Sequence, residues 1–308
     1  MTQPRKDVYA LVTHQIIQAL EQGVRPWMKP WDSTHLNGRV TMPRRATGES
    51  YRGINILLLW GAAITAGYDN PIWMTVKQAN KHQANVRKGE KGTMVVYADT
   101  FSKTETNDKG EDVAVAIPYL KSYTVFNCAQ IEGLSAHFYQ AAPPTSLENV
   151  VTRDQRLDAY FAATRADLRH GGNRAFYSIT HDYVQMPPLE AFHDSESYYA
   201  TLGHEMVHWT RHEQRLNRDF GRKQWGDEGY AQEELVAEMG AAFLCAALDI
   251  TPEVRDDHAA YIDSWLKVLR DDKRALFKAA SYAQKAVDYL NSLQAPCTAE
   301  TSPDQVAA

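Results

Sequence analysis

Apolar side chains at Val8, Leu11, Val12, Ile16, Ala19 and Leu20 recur at helical spacing, and Gly23 is placed to stop the helix they predict. From Val24 to about Ser50 that pattern fails. RPWMKPWDSTHLNGRVTMPRRATGES is rich in Pro, Gly, Arg and Trp and reads as an ordered but irregular loop. YRGINILLLWGAAITAG then predicts a buried helix ended by Gly67, with Trp60 in the core. PIWMTVKQANKHQANVRKGEKGTMVVYADTF gives a short helix, a Lys/Gly turn and a strand from Met94, and AVAIPYLKSYTVFNCAQIEGL gives one or two further strands.

AAPPTSLENV, residues 141–150, sets small residues and two prolines between patterned segments and is the natural domain boundary. Beyond it the pattern predicts an amphipathic helix over about 152–170 and a strand from Ser178 to Met186. Asp194 and Ser195 read as N-cap residues of a helix through HEMVH (204–208). AQEELVAEMGAAFLCAAL makes another helix, and 256–293 is mostly helical. Helix and strand without regular alternation imply an α+β protein. The expected organisation is an α+β domain over 1–142, a mainly helical domain over 143–294 and a disordered tail over 295–308.

A chain of 308 residues suits two domains of ordinary size, and its 44% hydrophobic and 23% charged residues suit a soluble globular protein. The cysteines Cys128, Cys245 and Cys297 lie far apart with no C-x-x-C pair, which argues against a disulfide framework or a cysteine metal site. MTQPRKDVYA has no apolar signal core, and the run from Ile54 to Gly67 is short of the roughly 20 residues that span a bilayer. A cytoplasmic protein with no membrane partner is expected. The net charge of −5 hides an asymmetry. Residues 1–142 hold 16 Lys/Arg against 12 Asp/Glu, while 143–308 hold 17 against 26. Within 25–97 the count is 11 to 4, a segment of the kind that meets a polyanion.

HEMVH places His204 and His208 four apart on a predicted helix, about 6 Å from each other along the axis, so both can reach one cation. Zinc takes neutral imidazole readily, and a catalytic site uses three protein ligands and leaves a position for water. Glu205 lies on the adjacent strip of helix, where a carboxylate can take a proton from that water. The third ligand must come from elsewhere. His212 stands about 12 Å along the helix from His204, too far to share a metal unless the helix breaks. In EELVAE, Glu234 and Glu238 share a helix face, while Glu233 points roughly 100° away from Glu234. One of the pair can bind the metal while the other hydrogen-bonds a ligating histidine.

HEMVHWT followed by EELVAEMGAAF resembles the zincin-like metallopeptidase domain of ArdC-type antirestriction proteins, and it is similar to the E-x-x-A-N-x-F-A helix of ImmA/IrrE-type peptidases. That resemblance covers roughly 150–290. It implies Glu234 as the third ligand and Glu238 as a residue behind the ligands, where the latter family has asparagine. The expected cofactor is one divalent ion, zinc.

Residues 25–91 interleave aromatic and basic side chains: Trp27, Trp31, Arg44, Arg45, Tyr51, Arg52, Trp73, Lys77, Arg87, Lys88 and Lys91. Single-stranded nucleic acid is held by that pair of groups, cations tracking phosphates while aromatic faces stack on unpaired bases. YRGINILLLW, PIWMTVKQA, VRKGEKGTMVVY and YTVFNCAQIEGL together resemble the N-terminal single-stranded-DNA-binding domain of ArdC-type proteins, shared with TraC-type primases. The resemblance implies a plasmid- or phage-borne factor that binds single-stranded DNA and protects incoming DNA from restriction. A second reading is a metalloprotease that cleaves a particular host or repressor protein and is recruited by DNA. A third, a replication accessory, is weakened by the lack of a carboxylate cluster for nucleotide transfer in the first domain.

Overall fold

The computed structural model describes residues 7–22, 27, 41–106, 112–139, 154–221, 228–250 and 262–294. The expected boundary at 141–150, the tail at 295–308 and Trp31 fall outside them. The α+β architecture holds, with strands concentrated in the first half and helices in the second.

The first half carries α1 (Val8–Glu21), α2 (Ile54–Ala66) and the short α3 (Val76–Lys81). Asp7 caps α1 by accepting from Ala10 N at 3.2 Å. Gly67 ends α2 at φ 69°, a left-handed conformation that favours glycine. The strands β1 (Arg44–Arg45), β2 (Ile72–Met74), β4 (Thr93–Thr106) and β5 (Asp112–Asn127) form one sheet in the order β1-β2-β5-β4. There β4 and β5 make a long antiparallel hairpin, Thr93 opposite Val125. A separate pair joins β3 (Asn85–Val86) to β6 (Ile131–Glu132).

In the second half α4 (Gln155–Ala163) is shorter than the pattern predicts. Arg165 turns left-handed at φ 58°, and Asp167–His170 become β7 instead of continuing the helix. The strand expected from Ser178 to Met186 is also corrected. The chain turns at Asp182, φ 51°, so β8 (Phe176–Ser178) and β9 (Tyr183–Met186) form a hairpin in a sheet of order β7-β9-β8. The sheet edges are therefore β7 and β8, and β9 is central. Helices α5 (Ser195–Trp209), α6 (Glu228–Leu248), α7 (Ile262–Asp271) and α8 (Ala275–Ser292) complete the fold.

One large apolar cluster joins both halves: Val12, Ile16 and Leu20 of α1 and Ile56 and Leu57 of α2 share it with Phe243 of α6, Trp265 of α7 and Leu276 of α8. Polar contacts reinforce the seam. Thr13 donates its hydroxyl to Lys273 O at 2.7 Å, Lys273 pairs with Asp7 at 2.6 Å and Arg270 with Glu21 at 2.5 Å. Trp27 meets Trp265 edge-on at 5.6 Å, and Gly53 N donates to Gln284 Oε1 at 3.1 Å. Trp60 is 8% exposed, as expected, and donates its indole N–H to Thr41 O at 3.0 Å.

Candidate functional site

Helix α5 opens at Asp194, whose carboxylate accepts from Ser197 N and Ser197 Oγ, both at 2.7 Å. Glu196 adds negative charge at the positive end of the helix dipole. The other end is closed by side chains. Arg218 donates to Val207 O at 2.9 Å, Arg215 Nε to Trp209 O at 2.6 Å and Thr210 Oγ1 to Val207 O at 2.6 Å, which satisfies carbonyls the helix leaves open. Helix α6 crosses α5 closely. A Cβ built at Gly240 would lie 2.8 and 2.9 Å from the methyls of Val207, so only glycine allows this approach.

That crossing brings His204, His208 and Glu234 together, with one ligand atom from each inside 4.8 Å. The two Nε2 atoms lie 3.2 Å apart and face Glu234 at 3.6 and 3.5 Å. Behind them, His204 Nδ1 stands 3.3 Å from Glu238 Oε1 and His208 Nδ1 stands 3.1 Å from Glu233 Oε1. Each imidazole that donates its Nδ1–H to its glutamate turns an Nε2 lone pair toward the common point. Two lone pairs and a carboxylate oxygen converging there form the donor set of a divalent-cation site, and the chemistry fits.

Charge supports the fit. His204, Glu205, Glu233 and Glu238 are buried, and Arg218, also buried, is the cation bound to Glu233. Burial alone pushes both imidazole pKa values down. The hydrogen bonds with Glu234 and Glu238 and the charges of Glu238 and Glu205 overcome it and hold His204 up to about 10. Glu234 and Glu233 do the same for His208, to about 9. Glu234 is held well below the usual carboxylate range against its own burial, by His208 and His204. The cluster calls for positive charge. Two protons would set N–H against N–H across 3.2 Å, whereas a single dication serves both rings and the carboxylate.

Two residues of this centre escape sequence reasoning. Glu233, placed off the ligand face by helix geometry, faces the last turn of α5, where the far nitrogen of His208 lies. Arg218 grips it with two bonds, Nε to Oε2 at 2.8 Å and a terminal nitrogen to Oε1 at 2.7 Å. Burial works to raise the Glu233 pKa, but Arg218 and His208 bring it down to about 2. The available signal is the adjacent Glu233–Glu234 pair in a helix apolar enough to be buried. RLNRDF carries no pattern that singles out Arg218. His212 lies beyond the helix, in the turn that follows.

The expected DNA contacts separate into three groups. Trp27, Tyr51 and Trp73 are 1, 3 and 1% exposed and offer no face to a base, which corrects the stacking role expected of them. Each is large and apolar enough that packing governs it: Trp73 joins Tyr51, Leu59, Val95 and Val125 in a cluster of their own. Arg52 pairs with Asp288, Arg45 with Glu49 at 3.3 Å and Arg87 with Glu90 at 2.9 Å. Arg44, Lys77, Lys88 and Lys91 are exposed and form no ion pair among the described residues.

A histidine pair and a glutamate delivered by two crossing helices define a zincin-like domain, and residues 155–282 match the family described as zincin-like metallopeptidase. Residues 6–126 match the N-terminal domain of anti-restriction factor ArdC. The chain belongs to the ArdC antirestriction family. The crystal structure of the antirestriction ArdC protein from the R388 plasmid, metal-free, is 45% identical with a TM-score of 0.80, covering 94% of this chain and 98% of that one. Its Mn(II)-bound form superposes with a TM-score of 0.76 at 44% identity. An uncharacterised protein, y4eC, of Sinorhizobium fredii (strain NBRC 101917 / NGR234) is 39% identical across 94% of this chain and 92% of its own length. A DNA primase TraC of Escherichia coli is 35% identical over 94% of this chain, which spans 27% of that primase. Among the described residues no helix is long and apolar enough to cross a membrane.

Proposed function

We propose that this protein binds single-stranded DNA and shields incoming plasmid or phage DNA from restriction, and that its second half holds a divalent ion, zinc by preference, in a hydrolytic centre. His204, His208 and Glu234 are the ligands, Glu238 and Glu233 fix the two rings, and Glu205 is the general base. The observation that carries the metal half is the pair of ring nitrogens 3.2 Å apart, each ring backed by its own glutamate. A cation held there supplies Lewis acidity toward a peptide carbonyl and toward water. Glu205, buried and next to His204 on the helix, takes the proton of the attacking water and passes it to the leaving amine. The DNA half rests on family membership and on the exposed cations that form no ion pair among the described residues, Arg44, Lys77, Lys88 and Lys91.

Glu205→Gln separates protection from hydrolysis. It keeps the ligand set and removes the base, so metal binding persists while any peptide cleavage falls by about 100-fold or more. Protection from restriction that survives this change assigns the antirestriction effect to DNA binding. Protection that disappears while DNA binding persists overturns the reading and favours a protease acting on a host or repressor protein.

A further inference from the structure

A cavity of about 860 Å³ lies between α1, α2 and the turn that leads into β4, away from the metal centre. One wall is a ridge of glutamines. Gln15, Gln18 and Gln22 recur at intervals of three and four, share a helix face and line the cavity. Their amides make no side-chain hydrogen bond to another described residue, although each offers both a donor and an acceptor. The floor is α2, where Gly61 contributes no side chain: a Cβ there would meet nothing within 4 Å. The opposite wall is the 89–93 turn, which carries the exposed Lys91, in no ion pair among the described residues.

The carboxylate in the lining, Glu90, is already engaged. It accepts from Arg87 at 2.9 Å and from Gln130 at 3.0 Å, and Gln130 also donates to Lys91 O at 2.9 Å. The turn is therefore held in place, and the net charge it presents is that of a lysine. Tyr68 also lines the cavity, set edge-on to Trp73 at 5.8 Å.

We propose that this cleft seats an unstacked base of a bound DNA single strand, with the neighbouring phosphate on Lys91; this rests on the single-stranded-DNA reading above. The edge of a nucleobase mixes donors and acceptors, which side-chain amides match and carboxylates or ammonium groups alone do not. The volume lies in the range of pockets that enclose small ligands, enough for a nucleotide. A base reaches such a pocket only outside the duplex stack, so the cleft selects single strands without an exposed aromatic platform. The buried tryptophans and the DNA reading are thereby compatible.

The test uses the full chain and a fluorescent 15-nucleotide oligothymidylate, with anisotropy as the readout. Gly61→Leu fills the cleft from its floor, and because leucine is the better helix former the variant melts at or above the wild type. Its affinity is expected to fall by about tenfold or more, since a stacked or seated base contributes on that scale. Gly61→Ala, which projects one carbon, stays close to wild type. An oligomer of abasic sugar-phosphate units binds the wild type about as weakly as oligothymidylate binds Gly61→Leu. Wild-type binding that Gly61→Leu leaves unchanged, or that abasic chains reproduce, overturns the cleft and leaves the single-strand reading standing. No wild-type binding to single strands overturns both.

Discussion

The metal centre and the first half of the chain put opposite kinds of residue inside. Around His204 and His208 the protein buries charge, Glu205, Glu233, Glu238 and Arg218, and gives the rings and Glu233 fixed partners. Between α2 and the first sheet it buries the aromatic residues that composition marks for ligand contact, Tyr51 and Trp73, and leaves amides and lysines at the surface. A buried charge is tolerated only where its partners are in place, so its presence identifies a built site. A buried tryptophan needs no function beyond its apolar area, which by itself favours folding by about 1.5–3 kcal/mol.

The largest effects should come from reversing these roles. Trp73→Ala is expected to cost about 3–5 kcal/mol in urea unfolding, because a fully buried indole leaves a cavity. Single-strand affinity of the folded protein should stay near wild type. A small loss of stability with a large loss of affinity would return Trp73 to the DNA surface. In the other region Arg218→Met should cost a similar 3–5 kcal/mol, since it takes from the buried Glu233 carboxylate its guanidinium and leaves it His208 alone. A double variant, Arg218→Met with Glu233→Met, should recover much of that stability while weakening metal binding. Failure to recover would mean that the pair does more than satisfy itself.

Glu238→Gln sharpens the comparison without removing a ligand. Glutamine keeps the shape behind His204 but withdraws the negative charge from its Nδ1. Metal affinity, read by competition with a chromophoric chelator, should fall by about 10- to 100-fold with little change in melting temperature. Equal affinity in the variant would remove Glu238 from the centre. In the first half, Lys88→Gln combined with Lys91→Gln should lower the slope of log single-strand affinity against log salt by up to about 1.4, near 0.7 for each phosphate that is no longer neutralised. Arg52→Gln is the contrast: its guanidinium is committed to Asp288 across the seam, so the slope should hold and stability should drop instead.

What is legible in the sequence follows the same division. A helix that carries HEMVH has one geometry, so the convergence of His204 and His208 can be read from spacing, and the αL stop at Gly67 can be read from residue type. Glu234 and Glu238 can be placed on one face but not given separate roles by spacing alone. Glu233 escapes because its role depends on where α5 ends relative to α6, a tertiary fact fixed by the close contact of Gly240 with Val207. The packing of α1 and α2 into the core of α6, α7 and α8 is equally out of reach, because apolar periodicity names a buried face and not what covers it. The same limit applies to tryptophan, whose burial composition does not disclose. The strand expected from Ser178 to Met186 fails at a single left-handed residue, Asp182.

Asp182 supplies the smallest effect and a pH dependence outside the metal centre. It sits in the turn between β8 and β9, where Arg215 donates to Oδ2 at 3.0 Å and also to Oδ1, and Tyr177 OH donates to Oδ1 at 2.9 Å. The same guanidinium lies 3.9 Å from the ring centroid of Trp209, so Asp182 ties the β8–β9 hairpin to the end of the metal-binding helix. The Arg215 hydrogen bond holds the Asp182 carboxyl below its ordinary value, with Tyr177 assisting and partial burial opposing. A carboxylate whose folded pKa is lowered stabilises the fold above its unfolded value, near 4, and loses that contribution as pH falls through the folded value. Asp182→Asn should therefore be less stable than wild type by about 1 kcal/mol at neutral pH, a modest figure for a partly exposed pair. The gap should hold down to about pH 5 and close below pH 4. Denaturant titrations of both proteins from about pH 7 to about pH 2.5 measure it, and a gap that stays constant across that range would show that the turn is held by Tyr177 and backbone geometry rather than by the ion pair.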